Sequence, residues 1–295
     1  MGAGDPTELV LGLVPSREAD VLVENAEPLV AFLSEALGIP VQGFVPQNYP
    51  GLVAAMATGQ AHIGAFGPFG LVQAVDEAGA EIVLQSGRDG SVTYHTQWMT
   101  NDPDTYCLDE PVANEDGLLF CNGTLEAEEG PIGEEAIALI EDGTTVSFVS
   151  ETSASGYIFP AVQLVDAEID HIDGIDPLFA DGHDNSVIAV CNGVAPVGVS
   201  FNDARTILKE GDCDDLDQVV VFAYSVEIPN DGIAVAGDLS DDLKERITQA
   251  FLDYADTEEG QATLDAVYEI DAFSPADLDA FDVVREAAEK VGGSD

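Results

Sequence analysis

Positive charge is scarce in this 295-residue chain: 8 Lys and Arg stand against 57 Asp and Glu, a formal net charge of −49. A protein that neutralises nucleic-acid phosphates, or that docks on anionic lipid through a basic patch, needs the opposite balance. Long apolar runs are also missing, and no 18-residue apolar stretch is available to span a bilayer. The motif G-x-x-x-x-G-K-S/T is absent, which excludes P-loop nucleotide hydrolysis, and G-x-S-x-G is absent too. The four histidines, His62, His95, His171 and His183, lack H-x-x-x-H spacing, and the four cysteines lack C-x₂₋₄-C spacing. No zinc site is expected from them, no other metal or cofactor is implied, and no cysteine sits in an evidently electropositive setting. These absences argue against an enzyme.

So acidic a composition would ordinarily indicate disorder. Against that, hydrophobic residues make up 46 % of the chain and the mean hydropathy is +0.10. The combination describes a folded core under a very acidic surface, as a halophilic protein needs: concentrated salt screens the self-repulsion and the acidic shell keeps the protein soluble. Met1 to Pro6 is a polar lead-in to a strand over 8–14. It fits a cytosolic start or an added Met on a mature exported product. Cys107 lies near Cys121 and Cys191 near Cys213, so local pairs are the simplest of the three possible disulfide arrangements, with four free buried thiols as the alternative. Asn122-Gly123-Thr124 is a glycosylation sequon.

The first hundred residues alternate strand and helix. Helices are predicted from Ser16 as cap to Leu37, from Pro50 to Thr58 and from Pro68 to Ala78, with strands at 41–45, 61–66 and 81–85. That order implies a largely parallel sheet covered by helices. Residues 100–143 read as an irregular excursion with one short helix near 134–140. Alternation resumes with strands at 145–149, 196–201 and 217–224 and helices at 155–164, at 184–191 and from Asn202. The tail reads as a helix capped by Ser240 and a last one opened by Ser274-Pro275.

The most informative local feature is Val149-Ser150-Glu151-Thr152-Ser153-Ala154-Ser155-Gly156-Tyr157. A buried-type strand runs into small hydroxyl residues that open a helix. The first amides of a helix lack intrahelical acceptors and carry partial positive charge, so with the hydroxyls they form an anion site; an ordinary Ser/Thr cap is the plainer reading. From Asp89 to Ala204 there is no Lys or Arg. An anion held there must be bound by amides, hydroxyls, aromatic OH groups or histidine.

Several ordered motifs resemble the phosphonate-binding family of ABC-transporter solute receptors, of the phosphate/phosphite/phosphonate type. They are Pro15-Ser16 with Ala26-Glu27-Pro28-Leu29, Asn48-Tyr49, Gly64-Ala65-Phe66-Gly67-Pro68-Phe69, Tyr94 and Ser153-Ala154-Ser155-Gly156-Tyr157-Ile158-Phe159-Pro160. Gly182-His183-Asp184, Asn192-Gly193 and Ile228-Pro229-Asn230-Asp231 continue the series. The resemblance spans nearly the whole chain except 100–143. It implies an α/β two-lobe periplasmic-binding-protein-like (type II) fold, each lobe a mixed sheet flanked by helices, with two hinge crossings and the ligand in the interlobe cleft. Lobe I would take 5–99 and 225–295, and lobe II 100–224 with the cysteine-bearing insertion. The family's oxyanion ligands carry over onto Tyr49, Tyr94, Ser153, Ala154, Ser155 and His183, and its acidic positions onto Asp203 and Asp231. Ala154 stands where the family usually has Thr, so one hydroxyl donor is gone. If Asp203 and Asp231 both face a bound dianion they need a compensating charge, which an ammonium on an aminoalkylphosphonate would supply; a protonated P–OH is the alternative.

The resulting expectation is a non-catalytic, extracytoplasmic receptor that delivers phosphonate, phosphite or phosphate to a membrane permease. It would be a monomer tethered at the cell surface through a removed N-terminal signal, with Cys107–Cys121 and Cys191–Cys213 as disulfides. The alternatives are a sensor subunit signalling phosphite or phosphate, and an enzyme on the same scaffold. The lone tryptophan, Trp98, is placed near the first crossing, where it would report hinge closure.

Overall fold

A computed structural model describes residues 5–127, 129–209 and 211–292. The chain opens with β1 (Leu9–Leu13), α1 (Ala19–Leu37), β2 (Val41–Phe44), α2 (Tyr49–Ala57), β3 (Ile63–Phe66), α3 (Pro68–Ala78), β4 (Glu81–Gly87) and β5 (Thr93–Tyr94). Helix α1 buries Leu22, Ala26, Leu29, Leu33 and Leu37, a 3–4 spacing that keeps one face on the sheet. It ends at Gly38, whose φ of 66° is left-handed and whose N–H returns to Ser34 O. The sequence predicts a cap at Ser16. The helix instead begins after Glu18, and the intervening Arg17 pairs with Glu269 at 2.8 Å.

The middle of the chain contains β6 (Thr96–Thr100), α4 (Pro103–Tyr106), β7 (Val112–Ala113), β8 (Leu119–Phe120), α5 (Glu134–Ile137), β9 (Thr145–Phe148) and α6 (Phe159–Asp166). It continues through β10 (Asp176–Phe179), α7 (His183–Cys191), β11 (Val197–Phe201), β12 (Val220–Tyr224) and β13 (Ile228–Pro229). The excursion at 100–143 is more ordered than its composition suggests. β8 extends the sheet parallel to β12, and β7 folds back on β8. Cys107–Cys121 and Cys191–Cys213 are disulfides with Cα separations of 5.6 and 6.0 Å. β10 escapes the sequence reading because Asp-Pro-Leu-Phe contains proline; it pairs only with β9, at a sheet edge where a missing N–H is tolerated. The helix expected from Asn202 shortens to a 3₁₀ turn, Ala204–Ile207.

The chain ends with β14 (Gly232–Val235), α8 (Asp241–Ala255), α9 (Glu258–Tyr268), β15 (Ala272–Pro275) and α10 (Asp282–Gly292). Ser240 caps α8 as predicted, its Oγ accepting Leu243 N–H at 3.2 Å. Helix α9, capped by Thr257, is not anticipated. Ser274-Pro275, predicted to open a helix, closes edge strand β15 instead, and the last helix starts at Asp282.

These elements form two compact units. One holds the chain up to Thr93 with Pro229–Val284; the other holds Tyr94–Ile228 with the chain from Arg285 on. The first has a six-stranded sheet of order β15-β4-β14-β3-β1-β2, with β1 parallel to β2 and β3, and with β14 antiparallel between β3 and β4. The second has a seven-stranded sheet of order β10-β9-β11-β6-β12-β8-β7, with β6 antiparallel to both neighbours. The change of unit therefore falls at 93/94 and 228/229 rather than 99/100 and 224/225, because β6 belongs to the second sheet. The covering helices pack apolar side chains onto both sheets. In the second unit Met99, Val187, Val190, Val219 and Val221 form one buried cluster.

Charge is sorted by depth. No Asp or Glu is buried among the described residues, whereas Arg205 and Lys244 are. The scarce cations sit in ion pairs such as Lys244–Glu81 and Lys290–Asp166, both at 2.5 Å. No helix is long and apolar enough to cross a membrane among the described residues.

Candidate anion site

In the second unit β9 ends at Phe148, and the chain turns back through Ser153. Ser153 Oγ accepts the Gly156 N–H at 3.1 Å and retains its own proton for donation. The next five residues, Ala154–Ile158, form a π-helical turn that runs directly into α6; such turns recur at functional sites. Gly156 is required by packing, since a Cβ there would lie 2.4 Å from Val149 Cβ and 2.7 Å from Ser153 Oγ. The Ser155 carbonyl accepts from Thr96 Oγ1 at 3.0 Å. Tyr157 OH lies 2.9 Å from His171 Nδ1 and its ring meets Phe148 edge-on, which fixes the far side of the turn. Burial pushes the Tyr157 phenol above its ordinary value, so it is neutral. The turn thus presents the first amides of a helix together with the Ser153 and Ser155 hydroxyls, in a setting where both serines are at most 4 % exposed.

His183 is the first residue of α7, after the extended Gly182. Its Nδ1 is 2.8 Å from Ser200 Oγ on β11, and its ring packs 4.8 Å from Phe201. β6 and β11 pair with Phe201 opposite Thr96 and Ser200 opposite Gln97. Thr96 and Gln97 therefore link the two groups: Thr96 holds Ser155, while Gln97 Nε2 donates to Asp203 Oδ1 at 3.1 Å. Ser153, Ala154, Ser155, His183 and Asp203 thus assemble at one end of this sheet, beyond the carboxyl ends of β9 and β11, where α/β sheets bind ligands. Tyr94 opens the same unit in β5, half-buried.

In the first unit Asn48 caps α2, its Oδ1 accepting Gly51 N–H at 2.9 Å, which places buried Tyr49 at the first helical position after β2. Asp231 precedes β14. Tyr268, whose OH donates to Val14 O at 2.8 Å, has its phenol raised well above the ordinary value by burial, with Tyr49 and Asp231 adding to the rise.

Sequence reasoning missed the arginines. Asp203 Oδ1 accepts from the Arg205 backbone N–H at 3.0 Å and from its Nε at 2.9 Å, and Oδ2 accepts from Nη2 at 2.5 Å. The Arg205 side chain is 0 % exposed; Nη1 donates to Leu119 O and Val219 O, and the guanidinium lies 4.5 Å over the Phe120 ring. Asp231 Oδ1 accepts from Arg88 Nη1 at 2.6 Å and Ser86 Oγ at 2.9 Å, and Oδ2 from Arg88 Nη2 at 3.1 Å. Arg88 is anchored in turn on Tyr268 O. The two basic residues that bound the long Lys- and Arg-free stretch are thus the partners of the two acids. Each acid thus has a guanidinium partner within its own unit. No group of three or more His, Cys, Asp or Glu suited to a metal occurs among the described residues.

Two mixed sheets flanked by helices, the second ending in small hydroxyl residues and a histidine, have the architecture of the periplasmic binding proteins. Residues 11–281 match the family described as ABC transporter, phosphonate, periplasmic substrate-binding protein, and the chain belongs to that family. It is 26 % identical over 225 residues to the phosphate-import protein PhnD of Mycolicibacterium smegmatis, covering 71 % of this chain and 60 % of that protein. Over 259 residues it is 24 % identical to the phosphonates-binding periplasmic protein of Escherichia coli, covering 87 % of this chain and 69 % of that one. The chain therefore spans about three fifths of the length of the mycobacterial relative. In fold it is similar to PhnD1 from Prochlorococcus marinus in complex with methylphosphonate, with a TM-score of 0.78 at 19 % identity, over 98 % of this chain and 99 % of that one.

Proposed function

We propose that this protein is the extracytoplasmic solute receptor of an ABC importer, capturing a small phosphorus oxyanion and presenting it to a membrane permease without catalysing a reaction. The observation that carries this reading is the Ser153 cap and the Ala154–Ile158 π-turn, in the same unit as His183 and inside a stretch without Lys or Arg. Such donors bind an oxyanion through amides and hydroxyls. Family membership and the relatives' names support the ligand class. Two disulfides suit an oxidising compartment outside the cytoplasm, with the receptor held at the cell surface near its permease. The acidic surface suits concentrated salt.

The test is a thermal-shift series in molar KCl with phosphate, phosphite and methylphosphonate. A ligand present at 100 times its dissociation constant stabilises the fold by about 2.7 kcal/mol. At least one of the three is expected to raise the melting temperature saturably, while sulfate at equal ionic strength does not. No shift with any of them at millimolar concentration would overturn the reading.

A further inference from the structure

We infer that His171 is a positioning residue for oxyanion binding: through Tyr157 it holds the Ala154–Ile158 turn in its donor-presenting shape, acting on the turn rather than on the ligand. The inference rests on the oxyanion reading above and names a residue that supports that site; both residues lie within the second unit. The turn closes with Ile158 N–H on Ser153 O at 3.0 Å, an i to i+5 bond that makes a wider loop than an α-helical turn. Two bonds tie its carbonyls down: Val149 N–H on Gly156 O and Thr96 Oγ1 on Ser155 O, both at 3.0 Å. The Tyr157 side chain supplies a third tether. Its buried ring packs against Phe148 and Phe179, with centroids 5.2 and 5.4 Å away, and its OH lies 2.9 Å from His171 Nδ1.

His171 is itself held in place. The chain leaves the turn through α6 and returns to it fourteen positions after Tyr157. There Asp170 Oδ1 accepts the N–H groups of Ile172 and Asp173 at 2.9 Å, and Asp170 O accepts that of Gly174 at 3.0 Å. The imidazole is 3 % exposed, and its Nε2 meets no hydrogen-bonding partner among the described residues. A buried imidazole with one nitrogen unpartnered is destabilising relative to an apolar side chain of similar size. Packing alone therefore does not account for a histidine at this position. The bond to Tyr157 does, and Tyr157 is two residues from Ser155 in the turn that carries the donors.

Titration calorimetry in molar KCl tests this, with whichever of phosphate, phosphite and methylphosphonate the wild-type protein binds most tightly. Melting temperatures are measured on the same proteins without ligand. His171→Leu removes the Nδ1 partner and the unpartnered nitrogen together. It is expected to weaken binding about tenfold while the unliganded melting temperature stays at or above the wild-type value. Tyr157→Phe removes only the hydroxyl and is expected to lose affinity to the same extent, with the double variant no worse than either single one. In His171→Asn the side-chain amide can meet the phenol where Nδ1 stands, and affinity is expected to stay within about threefold of wild type. A purely structural role predicts the reverse pattern, lower melting temperatures at unchanged affinity. Wild-type affinity in both His171→Leu and Tyr157→Phe overturns the inference while upholding the oxyanion reading. Wild-type protein that binds none of the three probes overturns both.

Discussion

His183 Nδ1 lies 2.8 Å from Ser200 Oγ, which ties the first residue of α7 to the middle of the second unit's sheet. The bond occupies one ring nitrogen and sets the imidazole plane before any ligand arrives, as the partners of ligating histidines commonly do. His183→Ala should weaken oxyanion binding by roughly 1.5–3 kcal/mol, the range for a hydrogen bond to a charged group. Ser200→Ala should cost about 1 kcal/mol or less, because the ring stays present but less well fixed. Titration calorimetry with the best ligand checks both. Wild-type affinity in His183→Ala would make this histidine a packing residue.

Much of the fold can be read from the sequence where hydrophobic period and caps agree. Ala26, Leu29, Leu33 and Leu37 of α1, the Gly67-Pro68 helix start and the Ser240 cap lie where periodicity and side-chain chemistry place them. Reading fails where tertiary pairing overrides local signals. β10 carries Pro177 yet pairs, because it lies at an edge; Ser274-Pro275 has a helix-start signature yet completes β15 on β4. Within the site, the Ser153–Ser155 turn is legible because its residues are contiguous. The arginine partners of Asp231 and Asp203 are not equally visible. Arg205 is two residues from Asp203, a spacing that could have raised the pairing, but Arg88 meets Asp231 across 143 positions, where no local pattern points to it.

Trp98 corrects a related expectation. It is 0 % exposed on β6, with its Nε1 donating to Gln163 Oε1 at 2.9 Å and its ring 6.2 Å from Phe222. Its surroundings belong to the interior of the second unit, not to a hinge. Its emission should therefore be blue-shifted and change little when ligand is added, yet shift red on denaturation. A large, saturable change on ligand binding, measured by steady-state fluorescence, would contradict this placement.

His62 gives the protein a stability term on the acid side. Its Nδ1 accepts the Val10 N–H at 3.1 Å, a role open only to the deprotonated nitrogen. Burial holds the imidazole below its ordinary value, against the opposing pull of Asp238 and Glu8. A histidine depressed in the folded state binds more protons when unfolded, so stability rises with pH across the window between its two values. The contribution is complete above about pH 6.5 and is lost as the pH falls below it, before most carboxylates titrate. The melting temperature should thus decline as the pH falls below about 6.5. His62→Asn, whose Oδ1 can take the place of Nδ1 and does not titrate, should flatten that slope. An unchanged slope in the variant would assign the effect to other groups.

Asn122 heads a glycosylation sequon, but its amide is engaged in holding the insertion together. Nδ2 donates to Tyr106 O and Phe222 O, both at 2.9 Å, while Oδ1 accepts the Leu108 N–H at 2.7 Å. The residue also adopts a left-handed φ of 56°, which asparagine tolerates better than most, and it adjoins the Cys107–Cys121 bridge. A glycan on Nδ2 would remove one of its two donor hydrogens and force a sugar between two carbonyl groups, leaving one of them unpaired. Thr124 is similarly engaged, with Oγ1 bonded to Cys121 O and Val221 O. The sequon therefore serves structure, and mass spectrometry of peptides from the natural host should find Asn122 unmodified. Asn122→Asp replaces the amide nitrogen and its two donor hydrogens with an acceptor oxygen facing those carbonyls and should destabilise the fold by about 1–3 kcal/mol in chemical denaturation. A native protein carrying sugar at Asn122, or a variant as stable as wild type, would show that these bonds are dispensable.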